Sequence, residues 1–321
     1  MDRFLLSLFA LLILAACSTF GGDGNPSWDT DIPESEAFSI DWATWGPDGH
    51  RIVFQHSEPS TDSTSGALDE LWAANLRTGE RWRIAPGRIV APDWHPDGSR
   101  IAFHVGFLES FLWAVDTTGE KFWPLTGPES PNPDITQAVS PDWSPSGDRL
   151  LFAIAAGDSS GIWVMNPDAS NRTQIDGWSV MGGWFPDGKR IVYVSWDQTV
   201  SDPNRRRQIF VAHADGSGVK KLTDLPDSYA GNPAVSPDGR RIAFTHTGQD
   251  GGGSEVYLMN ADGTEIRQVT SGPGIARRPE WHPNGQTILF TRFRPNVSKR
   301  AYLLDVKTLE VTPVFPAEPS E

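Results

Sequence analysis

The sequence predicts an all-β chain, a six-bladed propeller of four-stranded antiparallel blades, and three observations predict it. One ten-residue pattern recurs six times: Trp45-Gly-Pro-Asp-Gly-His-Arg-Ile-Val-Phe54, Trp94-His-Pro-Asp-Gly-Ser-Arg-Ile-Ala-Phe103, Trp143-Ser-Pro-Ser-Gly-Asp-Arg-Leu-Leu-Phe152, Trp184-Phe-Pro-Asp-Gly-Lys-Arg-Ile-Val-Tyr193, Val235-Ser-Pro-Asp-Gly-Arg-Arg-Ile-Ala-Phe244 and Trp281-His-Pro-Asn-Gly-Gln-Thr-Ile-Leu-Phe290. The copies follow one another at about 47 residues, a period typical of propeller blades. Each copy is followed by a second β-rich run and a shorter third one, so each unit holds four strands, A to D.

Strand A ends on the aromatic residue, and Pro-Asp-Gly closes the A–B hairpin because Gly accepts positive φ without steric cost. Strand B carries the apolar triplet, such as Ile52-Val-Phe54. Strand C is the run Leu71-Trp-Ala-Ala, Leu112-Trp-Ala-Val, Ile162-Trp-Val-Met, Ile209-Phe-Val-Ala, Val256-Tyr-Leu-Met or Ala301-Tyr-Leu-Leu. A turn such as Asn260-Ala-Asp-Gly-Thr264 leads to strand D, exemplified by Lys220-Lys-Leu-Thr223 and Arg267-Gln-Val-Thr270. The bulky end of strand A and the triplet of strand B are expected to pack between neighbouring blades. Most of the Trp content is therefore structural, since five of the 14 Trp residues occupy that one position.

The chain has 321 residues, 31 Gly, 26 Pro and a net charge of −14. A composition with 38% hydrophobic and 21% charged residues is that of a globular protein. The acidic balance argues against nucleic acid as a partner, because neutralising phosphates needs a basic face.

Residues Phe4 to Ala16 are apolar apart from Ser7, too short a stretch to span a bilayer and suited to the core of an export signal. Leu14-Ala15-Ala16-Cys17 resembles the lipobox of bacterial lipoproteins, and Cys17 is the sole cysteine. The resemblance implies a signal peptide over 1–16, a lipid on Cys17, and attachment to the cell envelope; Ser18 in the next position favours the outer membrane. Residues 17–37 read as a flexible tether, 38–316 as the propeller and 317–321 as a short tail.

The repeat residues quoted above resemble the TolB-type propeller repeat, from residue 38 to about 315. The resemblance implies a six-bladed ring acting as a binding scaffold. TolB carries an α/β domain before its propeller, whereas blade 1 of this chain is expected to begin near Phe38, and this chain carries the lipobox. Blade 6 is expected to close on blade 1, with residues 26–37 bracing the junction.

A blade zigzags, so A–B and C–D turns share one face, and the longer, variable B–C and D–A connections share the other. Loops on a rigid scaffold are where binding concentrates. Long B–C loops are expected at 57–70, 196–207, 247–254 and 292–300, and a long D–A loop at 127–139. Arg205, Arg206, Arg207, Arg277, Arg278, Arg292, Arg294, Lys299 and Arg300 fall on or beside that face, with Trp178 and Trp196. This cationic and aromatic group is a candidate site for a carboxylate peptide, an anionic glycan or a phosphate. The competing reading is a solvated rim with Arg stems lying on the propeller.

A second candidate is the central channel. Asp93, Asp142 and Glu280 each precede the strand A Trp, so three carboxylates converge if that position faces the axis, as a hard divalent cation would require. Gly183 and Ala234 break the ring, and hydrogen bonding to backbone is the alternative role. No organic cofactor is expected.

Catalytic patterns are few. Gly157-Asp-Ser159-Ser-Gly161 has the spacing of a nucleophile elbow but falls between two strands, where that motif does not work. His56, His104 and His246 end B strands of three blades without ligand spacing. The residues favour a monomeric, non-catalytic scaffold for an envelope protein or anionic glycan. The alternative is a propeller-type lyase or hydrolase acting on an acidic polysaccharide.

Overall fold

The computed structural model describes residues 39–57, 69–106, 109–131, 133–155, 157, 159–168, 170–177, 179, 181–196, 207–225, 230–247, 253–294 and 297–315. Every regular element among them is a strand. Blade 1 contains β1 (Ile40–Trp45), β2 (Arg51–Ser57), β3 (Asp69–Asn75) and β4 (Arg81–Ala85). Blade 2 contains β5 (Ile89–Trp94), β6 (Arg100–Val105), β7 (Phe111–Asp116) and β8 (Phe122–Pro124). Blade 3 contains β9 (Ala138–Trp143), β10 (Leu150–Ile154), β11 (Gly161–Met165) and β12 (Thr173–Asp176). Blade 4 contains β13 (Met181–Trp184), β14 (Arg190–Trp196), β15 (Arg207–His213) and β16 (Lys220–Lys221). Blade 5 contains β17 (Ala230–Val235), β18 (Arg241–Thr247), β19 (Ser254–Asn260) and β20 (Arg267–Gln268). Blade 6 contains β21 (Ile275–Trp281), β22 (Thr287–Arg294), β23 (Val297–Asp305) and β24 (Val311–Pro313). Each sheet is built from four consecutive strands, all antiparallel.

The six A–B turns behave alike. Their Gly residues (49, 98, 147, 188, 239 and 285) all have φ between 63° and 74°. In blade 1 the Asp48 carboxylate accepts from the amides of His50 (2.8 Å) and Arg51 (3.0 Å), which fixes the turn. The Thr that ends strand D also has a defined role. Buried Thr126, Thr223 and Thr270 each accept, at 2.9 Å, from the amide that opens the packed part of strand C: Leu112, Ile209 and Val256.

The core lies between blades, as the pattern predicts, and each of the six junctions has its own apolar cluster. Between blades 1 and 2, for example, Trp94, Ile101 and Phe103 pack on Val53, Leu71 and Ala73. An Arg from strand B reinforces this layer: Arg51, Arg100, Arg149 and Arg241 lie 4.7–5.0 Å over Trp94, Trp143, Trp184 and Trp281 of the following blade. Blade 5 has Val235 where the others have Trp. The preceding blade compensates with Phe185, fully buried in the same junction, and Arg190 stacks on it at 4.2 Å.

Among the described residues blade 6 closes on blade 1 without sharing a strand. Residues 26–37, expected to brace this junction, lie outside the described residues. At the other end of the chain Val314 and Phe315 join the junction cluster, with Phe315 edge-on to Phe54 at 6.3 Å. One expected loop is not a loop. The 292–300 segment is mostly hairpin, since β22 and β23 pair Arg292 with Arg300 and Arg294 with Val297. The alternation Thr291-Arg-Phe-Arg294 against Val297-Ser-Lys-Arg300 suits strands, and the charges obscured it.

Candidate functional site

Strand A lines the axis and runs from the variable face towards the tight-turn face. Five of the six A strands carry a β-bulge three residues before the terminal Trp or Val. The bulged residues, Trp42, Ala91, Ser140, Asn232 and Arg278, are all left-handed, with φ of 47–52°. Side chains rarely adopt that conformation, so its repetition at one position marks a geometric demand of the ring. Blade 4 lacks the bulge; Met181 pairs regularly there and is followed by Gly182 and Gly183.

The bulges open a cavity of about 130 Å³ on the axis. Its wall has three layers. The outer layer, towards the variable face, is Trp42, Ala91, Ser140, Met181, Asn232 and Arg278. The middle layer is narrow: Ala43, Gly182 and four Pro residues. The inner layer contains Thr44, Asp93, Asp142 and Glu280.

The structure thus brings Asp93, Asp142 and Glu280 to one channel, as their shared repeat position implied. Two of them also join blades: Asp93 Oδ2 accepts from the Trp143 amide at 2.7 Å, and Asp142 Oδ2 from the Trp184 amide at 3.1 Å. Loss of hydration pushes Asp93 up to about 7 and Glu280 up to about 8, and Asp93 adds repulsion at Glu280. Asp142 is raised well above the ordinary carboxylate range by burial and then by Asp93 and Glu280. Near neutrality the inner layer therefore holds protons that isolated carboxylates would release. Among the described residues no three His, Cys, Asp or Glu side chains are arranged to hold a metal ion.

The outer layer is asymmetric. The Arg278 guanidinium lies 3.3 Å from the centre of the Trp42 ring and pairs with Asp41, which also takes Lys299 at 2.7 Å. These two cations hold Asp41 down to about 2 despite the opposing effect of burial. On the other side the Ser140 amide donates to His104 Nδ1 at 3.4 Å. Burial, helped by Arg278, pushes His104 down to about 4, so it is neutral at pH 7.

The predicted cationic group is divided. Arg278 faces the channel, while Arg292 is buried against Glu255 of blade 5 in a bidentate pair at 2.8 and 3.1 Å. Arg277 lies on β21 with its guanidinium 5.8 Å from the Phe293 ring centre, and Arg207 lies 5.3 Å over Trp196 at the end of β14 and β15. Arg205, Arg206 and Trp178 lie outside the described residues, as does the side chain of Arg294. Ser159 sits in the exposed connection between β10 and β11, a strand-to-strand link. The B-strand histidines occupy separate settings: His56 beside Trp72, His246 beside Tyr257 and His104 beside Ser140.

Of the outer layer, sequence reasoning singled out Arg278 and missed the other five residues. Its signal is negative: this position does not repeat, although Pro92, Pro141, Pro233 and Pro279 recur immediately after it.

Residues 134–250 and 184–311 match the family described as the TolB beta propeller domain. The chain belongs to that family. The Tol-Pal system protein TolB of Alcanivorax borkumensis is 33% identical over 105 residues, which cover 33% of this chain and 23% of that protein. The uncharacterized peptidase YuxL of Bacillus subtilis is 30% identical over 108 residues, covering 34% of this chain and 16% of that protein. The chain therefore spans less than a quarter of these relatives. Among solved structures, a putative TolB from Agrobacterium tumefaciens has a TM-score of 0.66 at 20% identity, covering 78% of this chain and 90% of that one. This TolB-propeller likeness agrees with the ring of six four-stranded blades.

Proposed function

We propose that this TolB-type propeller is a non-catalytic binding module that receives a segment of a cell-envelope protein at the variable-face mouth of its channel. One observation carries the reading: the five bulge positions and Met181, at the matching place of the unbulged blade 4, hold six different residues, while the junctions beneath them repeat nearly the same side chains. Folding constrains only the backbone at this position, which leaves the side chains there available for recognition. Trp42 and Arg278 supply a planar aromatic and cationic edge, Ser140 a hydroxyl across the channel from Arg278, and Asn232 an amide on the blade beside it. Kinship with TolB, a protein of the Tol-Pal system by name, favours a protein partner. An anionic glycan fits less well, because Asp41 and Glu255 already occupy Arg278 and Arg292 and the channel ends in carboxyl groups. The lipobox at Cys17 supports export and lipid anchorage to the envelope, so the module is proposed to work at that surface.

Photo-crosslinking in cells tests the site. A crosslinking amino acid at position 232 is expected to trap a defined envelope protein, and Trp42→Ala or Arg278→Ala to reduce the yield about tenfold or more, as loss of an interface anchor does. Equal trapping from position 219, on the outer rim, would remove the channel from consideration. Lipidation is tested separately: Cys17→Ser is expected to move the protein from the membrane to the soluble fraction.

A further inference from the structure

The six junctions are not equivalent, and the one between blades 6 and 1 differs in three ways. Among the described residues it alone has no chain connection across it, since each sheet consists of four consecutive strands. It has no Arg stacked on the next Trp, because Thr287 stands at the position of Arg51, Arg100, Arg149, Arg190 and Arg241. The apolar residue that opens strand C is also smallest there, Ala301 against Leu71, Leu112, Ile162, Ile209 and Val256.

Charge takes the place of this packing. Asp41, 5% exposed, sits between Arg278 and Lys299, both from blade 6. His282 Nε2 bonds the Gly49 carbonyl at 2.9 Å with its ring 4.4 Å from that of Trp45, as His95 does with Gly147 and Trp143 between blades 2 and 3, so the ionic triad is what sets this junction apart. A junction held by ions with one half-exposed member responds to salt and to competing charge, whereas an apolar junction does not.

We propose that the junction between blades 6 and 1 is a reversible clasp, with Asp41 as its bolt, through which the ring opens locally at the channel wall. Arg278 and Trp42 belong both to the clasp and to the outer layer of the channel, so opening reshapes the mouth. The proposal does not depend on the channel being the binding site, because it concerns the ligand-free ring.

Hydrogen exchange of the full chain, read by mass spectrometry, tests it. Asp41→Asn is expected to speed exchange in β1 and β21 about tenfold or more while β9 and β14 keep wild-type protection. Raising salt from about 0.05 to about 1 M is expected to act on the same strands of the wild type. Lys299→Gln, which keeps Arg278 on Asp41, serves as the milder variant should Asp41→Asn not fold. Glu255→Gln, which breaks the ionic pair across the chain-linked junction of blades 5 and 6, is expected to leave β1 within about twofold of wild type. Unchanged protection of β1 in the clasp variants would overturn the proposal. So would a uniform rise across all six inner strands, since the ring would then open only by unfolding as a whole.

Discussion

Two regions built from the same strand follow opposite rules. The residue ending each A strand faces a junction and is Trp in five blades of six; the residue three places earlier faces the axis and never recurs. The junctions must satisfy one geometry six times, so packing holds them alike. The axis needs only a left-handed bulge, which constrains the backbone and leaves the side chain free to differ. Repetition therefore marks what folds the ring, and departure from it marks what the ring presents.

The sharpest way to break this contrast is at the junction of blades 4 and 5, where Val235 stands in place of Trp. Phe185→Ala is expected to destabilise the chain by about 3–5 kcal/mol, the usual cost of deleting a buried aromatic, and chemical denaturation measures it. A loss below about 1 kcal/mol would mean that Phe185 does not replace the Trp missing from blade 5.

The channel wall is expected to behave differently, through pH. Glu280 has a folded-state pKa raised from the ordinary 4.5 to about 8, so its contribution is fully present below about 4.5 and declines as pH rises towards 8. Asp93, raised to about 7, acts in the same direction. Glu280→Gln is expected to flatten the fall in Tm between pH 5 and 8 and to leave the variant more heat-stable than wild type at pH 8, by a few degrees. Parallel Tm–pH curves would show that channel water screens the carboxylates.

The smallest effect concerns the Arg layer. Arg241 stacks on Trp281 at 4.8 Å and donates to the Gly285 carbonyl at 3.2 Å. Arg241→Ala is expected to cost about 1 kcal/mol in denaturant melts, and an equal loss in Arg241→Lys would show that the planar guanidinium is what matters.

The fold was legible because its determinants are local and recur. Trp, Pro-Asp-Gly and the apolar triplet announce a hairpin six times over, and the turns formed where Gly49, Gly98 and their counterparts stand. The site was legible only in part. Asp93, Asp142 and Glu280 could be aligned by their shared position beside Trp. Trp42, Met181 and Asn232 share a position too, but no common residue type advertises it. The Arg group shows a different limit: sequence places Arg278 and Arg292 near one face, but does not show that Asp41, 237 positions from Arg278, and Glu255, 37 positions from Arg292, pair with them.

The prolines of the middle layer have a consequence for any guest in the channel. Pro92, Pro141, Pro233 and Pro279 have no amide proton to offer, and the bulge beside each interrupts the spacing of the remaining groups. Four of the six innermost edges are thereby closed to an incoming strand that would extend a sheet. At those four a visiting polypeptide is read by the identity of its side groups rather than held by its main chain, and the same prolines shield the edges from indiscriminate polymerisation.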